Sequence, residues 1–412
     1  MSKTSANRGT ILLLTQVYVP DPASVGQHMH DATSELVRRG WGVNVLAANR
    51  GYDDPSRKYE RREQRDGVDI HRLPLSSFGK STILRRVLAG VLLMFQEIVW
   101  GLFTPRLEAI VVSTSPPMCP VAAIIISLLR GVPICYWVMD INPDQVIRLG
   151  KVGARSLPVR CMNWLNRRIL GRAKRVVVLD RFMAALLQEK RDINAKSAIM
   201  PPWPHADATD RITHEENQWR TKNVPDDAFV IMYSGNHAVT TPLTTVLQAA
   251  MDMEDDAQLH FFFVGGGLGK AEVDELIEEK SPPSIHSMPY QPMETLKYSL
   301  GAADVHLVMV GDDMVGVVHP CKIYGAMAVG RPILLIGPNP CHASDIVKDN
   351  NIGWHIPNGD AEGLLKILRT IRGTPPEVLQ AMGERAQEAV RREFSKEILC
   401  GKFCDVVEET AG

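Results

Sequence analysis

The chain is 412 residues long, 45% apolar and 23% charged, a composition typical of a soluble globular protein with room for two domains of about 200 residues each. Its formal net charge of −1 hides a polarity, because residues 1–204 carry 29 Lys and Arg against 16 Asp and Glu, whereas the remainder carries 17 against 31. The basic half suits an anionic membrane surface or phosphate-bearing ligands, or simply has solvated helix faces. The lack of interleaved aromatic residues argues against nucleic acid.

The cysteines and the N-terminus indicate the compartment. Seven cysteines, an odd number without a C-x-x-C pair, are typical of a reducing compartment and argue against a structural zinc site. The first ten residues lack the apolar core of a signal peptide. We therefore expect a cytoplasmic protein.

The first predicted elements are the opening of a doubly wound sheet. A buried strand over 10–16 is followed by a glycine-bearing loop, a helix over about 28–39 and a second strand over 43–48, and the polar segment 50–69 is predicted as a loop. Gly26, Gln27 and His28 lie where the first strand meets its helix, so we expect them to face a ligand cleft. His28 is either a catalytic residue or an ordinary helix-start residue.

The segment 83–103 is apolar except for Arg85, Arg86, Gln96 and Glu97. These four polar residues argue against a membrane-spanning helix. Two interpretations stay open. The segment is either an amphipathic helix in the membrane interface, with Arg85 and Arg86 at the headgroups, or a half-buried helix between domains.

A further buried strand over 134–139 ends on Asp140, which Asn142 follows two residues later. The second carboxylate of a metal-binding D-x-D pair is missing, so we predict no metal here. Asp140 is a candidate for orienting a sugar hydroxyl or a reacting proton, with a helix-capping role as the alternative.

The proline-rich segment 201–204 predicts a domain boundary, after which strands and helices alternate again. We expect an N-terminal domain over 1–203, a C-terminal domain over 204–394, and a last helix over 395–412 that returns toward the N-terminal domain. Three loops at strand ends of the second domain could converge on one ligand. They are 234–237, with Gly235, Asn236 and His237; 265–267, with Gly266 and Gly267; and 312–322.

Lys322 begins a short predicted helix over 322–329, after the breaker pair His319 and Pro320. The free N–H groups of a first turn and the lysine charge together make an anion site that suits a diphosphate. The alternative is a solvated lysine on an ordinary α/β helix.

The ordered set of motifs resembles family 4 glycosyltransferases of the GT-B fold, nearest to the exopolysaccharide, colanic-acid-type branch. The donor-binding segment of that family is similar to GVVHPCKIYGAMAVGRPIL followed by NIGWHIPNGDAEGLL, and the strands before it are similar to VIMYSGN, HFFFVGGGLG and IHSMPYQPMETLKYSLGAADVHLV. The acceptor-domain opening resembles ILLLTQVYVPDPASVGQHMHDATSELVRRGWGVNVLAA, and a further element resembles VMDINPDQVIRLG. The resemblance implies an α/β protein with two doubly wound Rossmann-like domains facing a central cleft.

The resemblance also implies a retaining transfer, without a metal or other cofactor, of a sugar from a nucleoside diphosphate donor to a glycan or lipid-linked acceptor. Lys322 would neutralise the leaving diphosphate, and Met288 to Tyr290 would meet the nucleoside. Gly26, Gln27 and Asn142 would lie on the acceptor side. The implied donor-binding set is Gly235, Asn236, His237, Gly266, Gly267, Met288, Tyr290, His319, Pro320, Cys321, Lys322 and Ile323.

Two departures from the family pattern limit this transfer of roles. Many members carry two glutamates where this chain has Val317 and Gly325, and the second of them holds the ribose. Many also have an Arg after the first strand of this domain and a Lys five residues later, where this chain has Asn236, His237 and Thr241. A sugar-nucleotide 2-epimerase and a catalytically silent nucleotide-sugar-binding protein therefore remain as alternatives.

Overall fold

The computed structural model describes residues 8–21, 23–51, 56–74, 83–204, 211–241 and 243–412, with residues 83–87 described by their backbone alone. The chain divides into two compact units. The first contains Met1–Pro202, Gly316–Val318 and Glu397–Gly412, and the second contains Trp203–Val315 and His319–Lys396. No helix of the described residues is both long enough and apolar enough to cross a membrane.

The first unit is built on a sheet of eight strands with helices packed on it. The strands are β1 Thr10–Leu14, β2 Gly42–Ala48, β3 Arg62–Arg65, β4 Val68–Leu73, β5 Leu107–Ser113, β6 Ile134–Trp137, β7 Arg175–Val178 and β8 Ser197–Ile199. The helices are α1 Ser24–Arg38, α2 Ile83–Leu102, α3 Cys119–Arg130, α4 Asp144–Arg148, α5 Leu157–Arg172 and α6 Arg181–Lys190. The spatial order is β3-β4-β2-β1-β5-β6-β7-β8, and every pair is parallel except β3 with β4.

The second unit has a fully parallel sheet of six strands. The strands are β9 Phe229–Asn236, β10 Leu259–Gly266, β11 Ile285–Met288, β12 Val305–Met309, β13 Ile333–Ile336 and β14 Gly353–Ile356, in the order β11-β10-β9-β12-β13-β14. Its helices are α7 Gln218–Asn223, α8 Thr244–Met251, α9 Ala271–Lys280, α10 Leu296–Gly301, α11 Lys322–Ala328, α12 His342–Asn350, α13 Ala361–Arg372 and α14 Pro376–Ala389. A π-helical turn Val390–Phe394 follows α14, and the chain ends with α15 Lys396–Ala411.

The sequences of the central strands are apolar runs because helices cover both faces of each sheet. All five residues of β1 and all five of β12 are buried, as the strands of a parallel sheet with helices on both sides must be. The predicted α/β class with two doubly wound sheets is confirmed.

The predicted loop over 50–69 is wrong in part, because β3 lies within it and pairs antiparallel with β4. Asp66 and Gly67 form the tight turn between the two strands, with φ values of 49° and 80°. A two-residue turn with positive φ at both positions matches the twist of a hairpin, and Asp-Gly is a sequence that favours it.

Helix α15 packs against the first unit. The ring of Phe403 lies 4.2 Å, centroid to centroid, from that of Trp137 at the end of β6. Arg39 donates hydrogen bonds to Asp405 at 2.6 Å and to Glu408 at 3.0 Å. The last helix therefore completes the core and the surface of the unit that the beginning of the chain forms.

Candidate functional site

The order in which the chain adds strands to the second sheet reverses between β9 and β12. The chain proceeds from β9 to β10 and β11 on one side and then to β12, β13 and β14 on the other side. Loops at the carboxyl ends of the two strands flanking such a switch point diverge and leave room for a ligand. The segment 234–237 ends β9, and the segment 310–322 follows β12 and leads into α11.

The glycines of this region allow its loops to come together. Gly235, Gly265 and Gly267 have φ values of 126°, 131° and 117°, which side-chain-bearing residues rarely adopt. A methyl group on Gly235 would lie 2.9 Å from Cε of Lys322, and one on Gly266 would lie 2.9 Å from the Tyr290 ring. The structure therefore brings together the loops after β9 and β10 and the start of α11, as the sequence predicted.

Lys322 lies at the start of α11 with its aliphatic stem packed over Gly235. Its Nζ lies 5.0 Å from the centroid of the Tyr233 ring. Burial lowers the pKa of Lys322, but the neighbouring Tyr233 and Cys321 outweigh this effect and the pKa is raised. The ammonium group is thus positively charged at neutral pH and held where the glycine loops meet.

His237 lies beneath the loops, where it is 1% exposed. Its backbone N–H donates to the Gly266 carbonyl at 2.7 Å, and its carbonyl accepts from the Gly269 N–H at 2.8 Å. Burial, with the charges of Lys322 and Lys270, lowers the pKa of the imidazole to about 4. His237 is therefore neutral at pH 7 and connects two loops through its backbone.

The end of β11 carries the residues predicted to meet a nucleoside. Tyr290 is 59% exposed, and its hydroxyl donates to the Gly266 carbonyl at 3.4 Å. Lys270 donates to the carbonyls of Gly265 and Met288, which fixes β11 against the loop after β10. An exposed aromatic ring is thus anchored beside the glycine loops.

The remaining residues of the predicted donor-binding set surround the start of α11. His319, Pro320 and Cys321 form the loop before the helix, and the Cys321 side chain is exposed. Ile323 is fully buried, so neither its side chain nor its backbone is exposed to a ligand. Asn236 is exposed at the end of β9.

A hydrogen-bonded group beside Lys322 was missed by the sequence prediction. The buried Tyr324 hydroxyl lies 2.9 Å from Nε2 of His319 and 2.7 Å from Nε2 of His342. A hydroxyl has one hydrogen to donate, so at least one of the two imidazoles must donate its own N–H to the Tyr324 oxygen. His342 is the first residue of α12. No local sequence pattern indicated that it lies close to His319, which is 23 residues earlier in the chain.

The first unit places Gly26, Gln27 and His28 in the first turns of α1. Gly26 is buried and packs 3.2 Å from Tyr18, measured from an added methyl carbon to Cα. The Gln27 side chain donates to the Asp21 carbonyl at 3.3 Å. His28 is 3% exposed, and its Nδ1 lies 2.8 Å from the Ser24 carbonyl of the same helix. His28 is therefore a buried side chain that lies within hydrogen-bonding distance of its own helix backbone.

Asp140 lies just after β6, at the carboxyl edge of the first sheet. Burial raises the pKa of this half-buried carboxyl group, although a hydrogen bond with Thr114 acts in the opposite direction. The Thr114 hydroxyl accepts the Asp140 backbone N–H at 3.4 Å, and the Asn142 carbonyl accepts from Asn166 at 2.6 Å. No cluster of three or more metal-ligating side chains occurs within the described parts of the chain.

Two family models match adjacent parts of the chain. The model described as glycosyl transferase 4-like domain matches residues 24–203, and the model described as glycosyl transferases group 1 matches residues 215–389. A probable glycosyltransferase, WbjE of Pseudomonas aeruginosa, is 23% identical over 340 residues, 80% of this chain and 82% of the relative. The putative colanic acid biosynthesis glycosyl transferase WcaI of Escherichia coli is 23% identical over 76% of this chain and 79% of its own length.

Solved structures share the fold over nearly the whole chain. A sucrose-phosphate synthase of Thermosynechococcus elongatus superposes with a TM-score of 0.75 at 16% identity, covering 98% of this chain and 99% of that one. HepE of Anabaena, in complex with UDP and glucose, superposes with a TM-score of 0.72 at 13% identity, covering 97% and 100%. Since the two family models together span most of the sequence and the two doubly wound sheets match, the chain belongs to the family 4-type glycosyltransferases of the GT-B fold.

Proposed function

We propose that the protein is a retaining glycosyltransferase that uses a nucleoside diphosphate sugar and builds a polysaccharide or glycolipid on a glycan or lipid-linked acceptor. One observation carries the donor assignment: the charged Lys322 side chain packs over Gly235 at the switch point of the second sheet. The UDP and glucose bound to HepE and the colanic acid role named for WcaI support the substrate classes.

In the proposed reaction the bond between the sugar C1 and the diphosphate oxygen breaks, and the acceptor oxygen bonds to C1 on the same face. Negative charge then grows on the diphosphate, where Lys322 stabilises it. A preorganised donor of this kind contributes about 3 to 4 kcal/mol to the transition state, or roughly 10²- to 10³-fold in rate. Asp140, whose raised pKa makes it a better base than an exposed aspartate, is our candidate to accept the acceptor proton.

We also assign the nucleoside end and the compartment. Tyr290 offers an exposed ring, anchored at Gly266, on which a base can stack. All seven cysteines are unpaired, in keeping with a reducing compartment, so we place the reaction in the cytoplasm.

The donor assignment is tested by thermal unfolding with UDP, GDP, ADP and dTDP. A nucleotide that binds the native state raises the unfolding temperature in proportion to RT ln(1 + [L]/Kd). We expect Lys322→Ala to weaken nucleoside diphosphate binding about tenfold or more and to lower kcat about 10²-fold or more, because the diphosphate loses its cation. Lys366→Ala, on the exposed side of α13, is the matched control and should bind as the wild type does. Unchanged binding by Lys322→Ala would contradict the role of Lys322.

The reaction class is tested separately. Asp140→Asn should keep nucleotide binding and lose turnover, because it removes a base and not a diphosphate contact. With the nucleotide sugar alone we expect slow hydrolysis to the nucleoside diphosphate, whereas formation of an epimer would indicate the 2-epimerase instead. The anomeric configuration of the product, measured by NMR, tests retention.

A further inference from the structure

Exposed apolar side chains concentrate on one part of the first unit. Among the described residues, sixteen large apolar side chains are exposed, and nine of them belong to α2, α3, α5 or the residue after α2. Phe103 is 82% exposed, Leu157 77% and Leu129 67%. The other six are Leu88, Phe95, Val99, Trp100, Leu128 and Trp164. A concentration of this kind marks an interaction surface more often than scattered apolar residues do.

The three helices form one continuous layer. Helix α2 packs on α3, and α3 packs on α5. At one end, Arg130 of α3 donates to the Leu102 and Thr104 carbonyls at the end of α2, at 2.5 and 3.0 Å. Arg172 of α5 donates to the Ser127 carbonyl of α3 at 3.2 Å. The exposed side chains therefore belong to one layer of helices, whose outer side we call the α2–α3–α5 face.

This face carries positive charge without surface acids. The sequences of the three helices contain one carboxylate, Glu97, which is fully buried and accepts a hydrogen bond from the Cys119 thiol. Helix α5 alone presents four exposed arginines, namely Arg160, Arg167, Arg168 and Arg172. The Arg168 guanidinium lies 5.0 Å from the centroid of the exposed Trp164 ring, so a cation and an amphipathic aromatic group occur side by side.

We propose that the α2–α3–α5 face binds the surface of an anionic lipid bilayer. Exposed Phe, Leu and Trp side chains enter the boundary between headgroups and acyl chains, while arginines contact the lipid phosphates. The charge of the face favours an anionic bilayer over an apolar protein groove, because an apolar groove would desolvate these arginines without a partner, whereas lipid phosphates supply one. The side chains of Arg85 and Arg86, which the sequence led us to expect at the headgroups, lie outside the described residues. The lipid contacts proposed for the α2–α3–α5 face do not depend on them.

The proposal is tested by cosedimentation with vesicles of phosphatidylcholine, with and without about one third phosphatidylglycerol. The wild type should bind the anionic vesicles at low salt and bind neutral vesicles at least tenfold more weakly. The double variant Phe103→Asp and Leu129→Asp should lose about tenfold or more of this binding, since two exposed apolar side chains that enter the bilayer become charged. Arg160→Glu with Arg167→Glu should lose a similar factor, and this loss should shrink when the ionic strength rises to about 1 M.

Val378→Asp changes an exposed apolar residue of α14 in the second unit and serves as the control, which should bind vesicles as the wild type does. Nucleoside diphosphate thermal shifts of the same preparations show that each variant is folded, and they test the donor site independently of the lipid. Equal binding to neutral and anionic vesicles, or undiminished binding by the Phe103 and Leu129 variant, overturns the proposal. A wild-type dimer that this variant breaks, without vesicle binding, overturns it too and assigns the face to a second copy of the chain.

Discussion

At the scale of single residues, Glu97 shows how a buried acid lowers the stability of the native state as the pH rises. It is fully buried between α2 and α3, and burial raises the pKa of its carboxyl group to about 8. In the unfolded chain the same group ionises near its ordinary pKa of 4.5. The unfolded state therefore gains stability relative to the native state as the pH rises from 4.5 to 8, so the protein loses stability over this range.

Replacing Glu97 with Gln should remove this pH dependence. The amide keeps the shape of the protonated acid, so we expect the variant to gain about 2 to 4 kcal/mol in free energy of unfolding over the wild type at pH 8 and much less at pH 5. Urea denaturation at several pH values measures the difference. Glu108→Gln, at an exposed position of β5, is the control. Parallel pH profiles of wild type and Glu97→Gln would contradict the burial of a neutral acid.

Gly325 is the second informative residue, because the resemblance places the ribose-holding glutamate of many family members at this position. A methyl group there would lie 3.4 Å from Leu300, an ordinary contact, and the glycine has no positive φ. We expect Gly325→Glu to fold, to gain about 0.5 to 1 kcal/mol in helix stability, and to bind UDP more tightly than 2′,3′-dideoxy-UDP. Isothermal calorimetry with both nucleotides checks this. Equal affinity of the variant for the two would exclude a ribose contact from this position.

At the scale of elements, α15 supplies core to a unit whose other strands and helices lie far away in sequence. Phe403 is 1% exposed and packs on Trp137, which is also 1% exposed. Phe403→Ala should lower the free energy of unfolding by about 3 to 5 kcal/mol, because it leaves a cavity against a tryptophan ring. Chemical denaturation followed by tryptophan fluorescence measures the loss. Phe103→Ala, which truncates an 82% exposed ring, should change stability by less than about 0.5 kcal/mol.

The elements also show which parts of the fold are predictable from sequence. Apolar runs such as β1 and β6 were located because burial on both faces leaves a strong local signal. Strand β3 was missed, and with it the hairpin that β3 forms with the predicted strand over 69–73, although Asp66-Gly67 signals the turn. The charged residues of this exposed edge strand resemble a loop. Short elements such as β8, with three residues, carry too little pattern to be recognised. Contacts such as that between His319 and His342 depend on the tertiary fold, and no local pattern contains them.

At the scale of the whole molecule, acid should destabilise the second unit through its histidines. Burial lowers the pKa of His306 to about 4 and, with a charge on His260, that of His286 to about 4 as well. A histidine whose native pKa is depressed gives stability that is fully present above its unfolded pKa, 6.5, and is lost as the pH falls toward 4. His306 alone accounts for up to about 3 kcal/mol at pH 4, because 2.5 pKa units are involved.

Calorimetry between pH 7 and pH 4 tests this expectation. The transition that a nucleoside diphosphate shifts upward identifies the second unit, and we expect its midpoint to fall as the pH decreases below about 6.5. His306→Gln should flatten this dependence, since it removes the proton that the unfolded chain binds. A variant as acid-sensitive as the wild type would place the effect on other groups.

The return of the chain in α15 also bears on how the protein is made. The first unit needs Phe403 to cover Trp137, and the entire second unit is synthesised between these two residues. At about 5 to 20 residues per second, the ribosome takes on the order of tens of seconds to cover that distance. During this interval the second unit can fold by itself, whereas Trp137 of the first unit is not yet covered by Phe403. A nascent chain of this protein therefore offers chaperones a defined apolar target that disappears only when Phe403 has been synthesised and packs on Trp137.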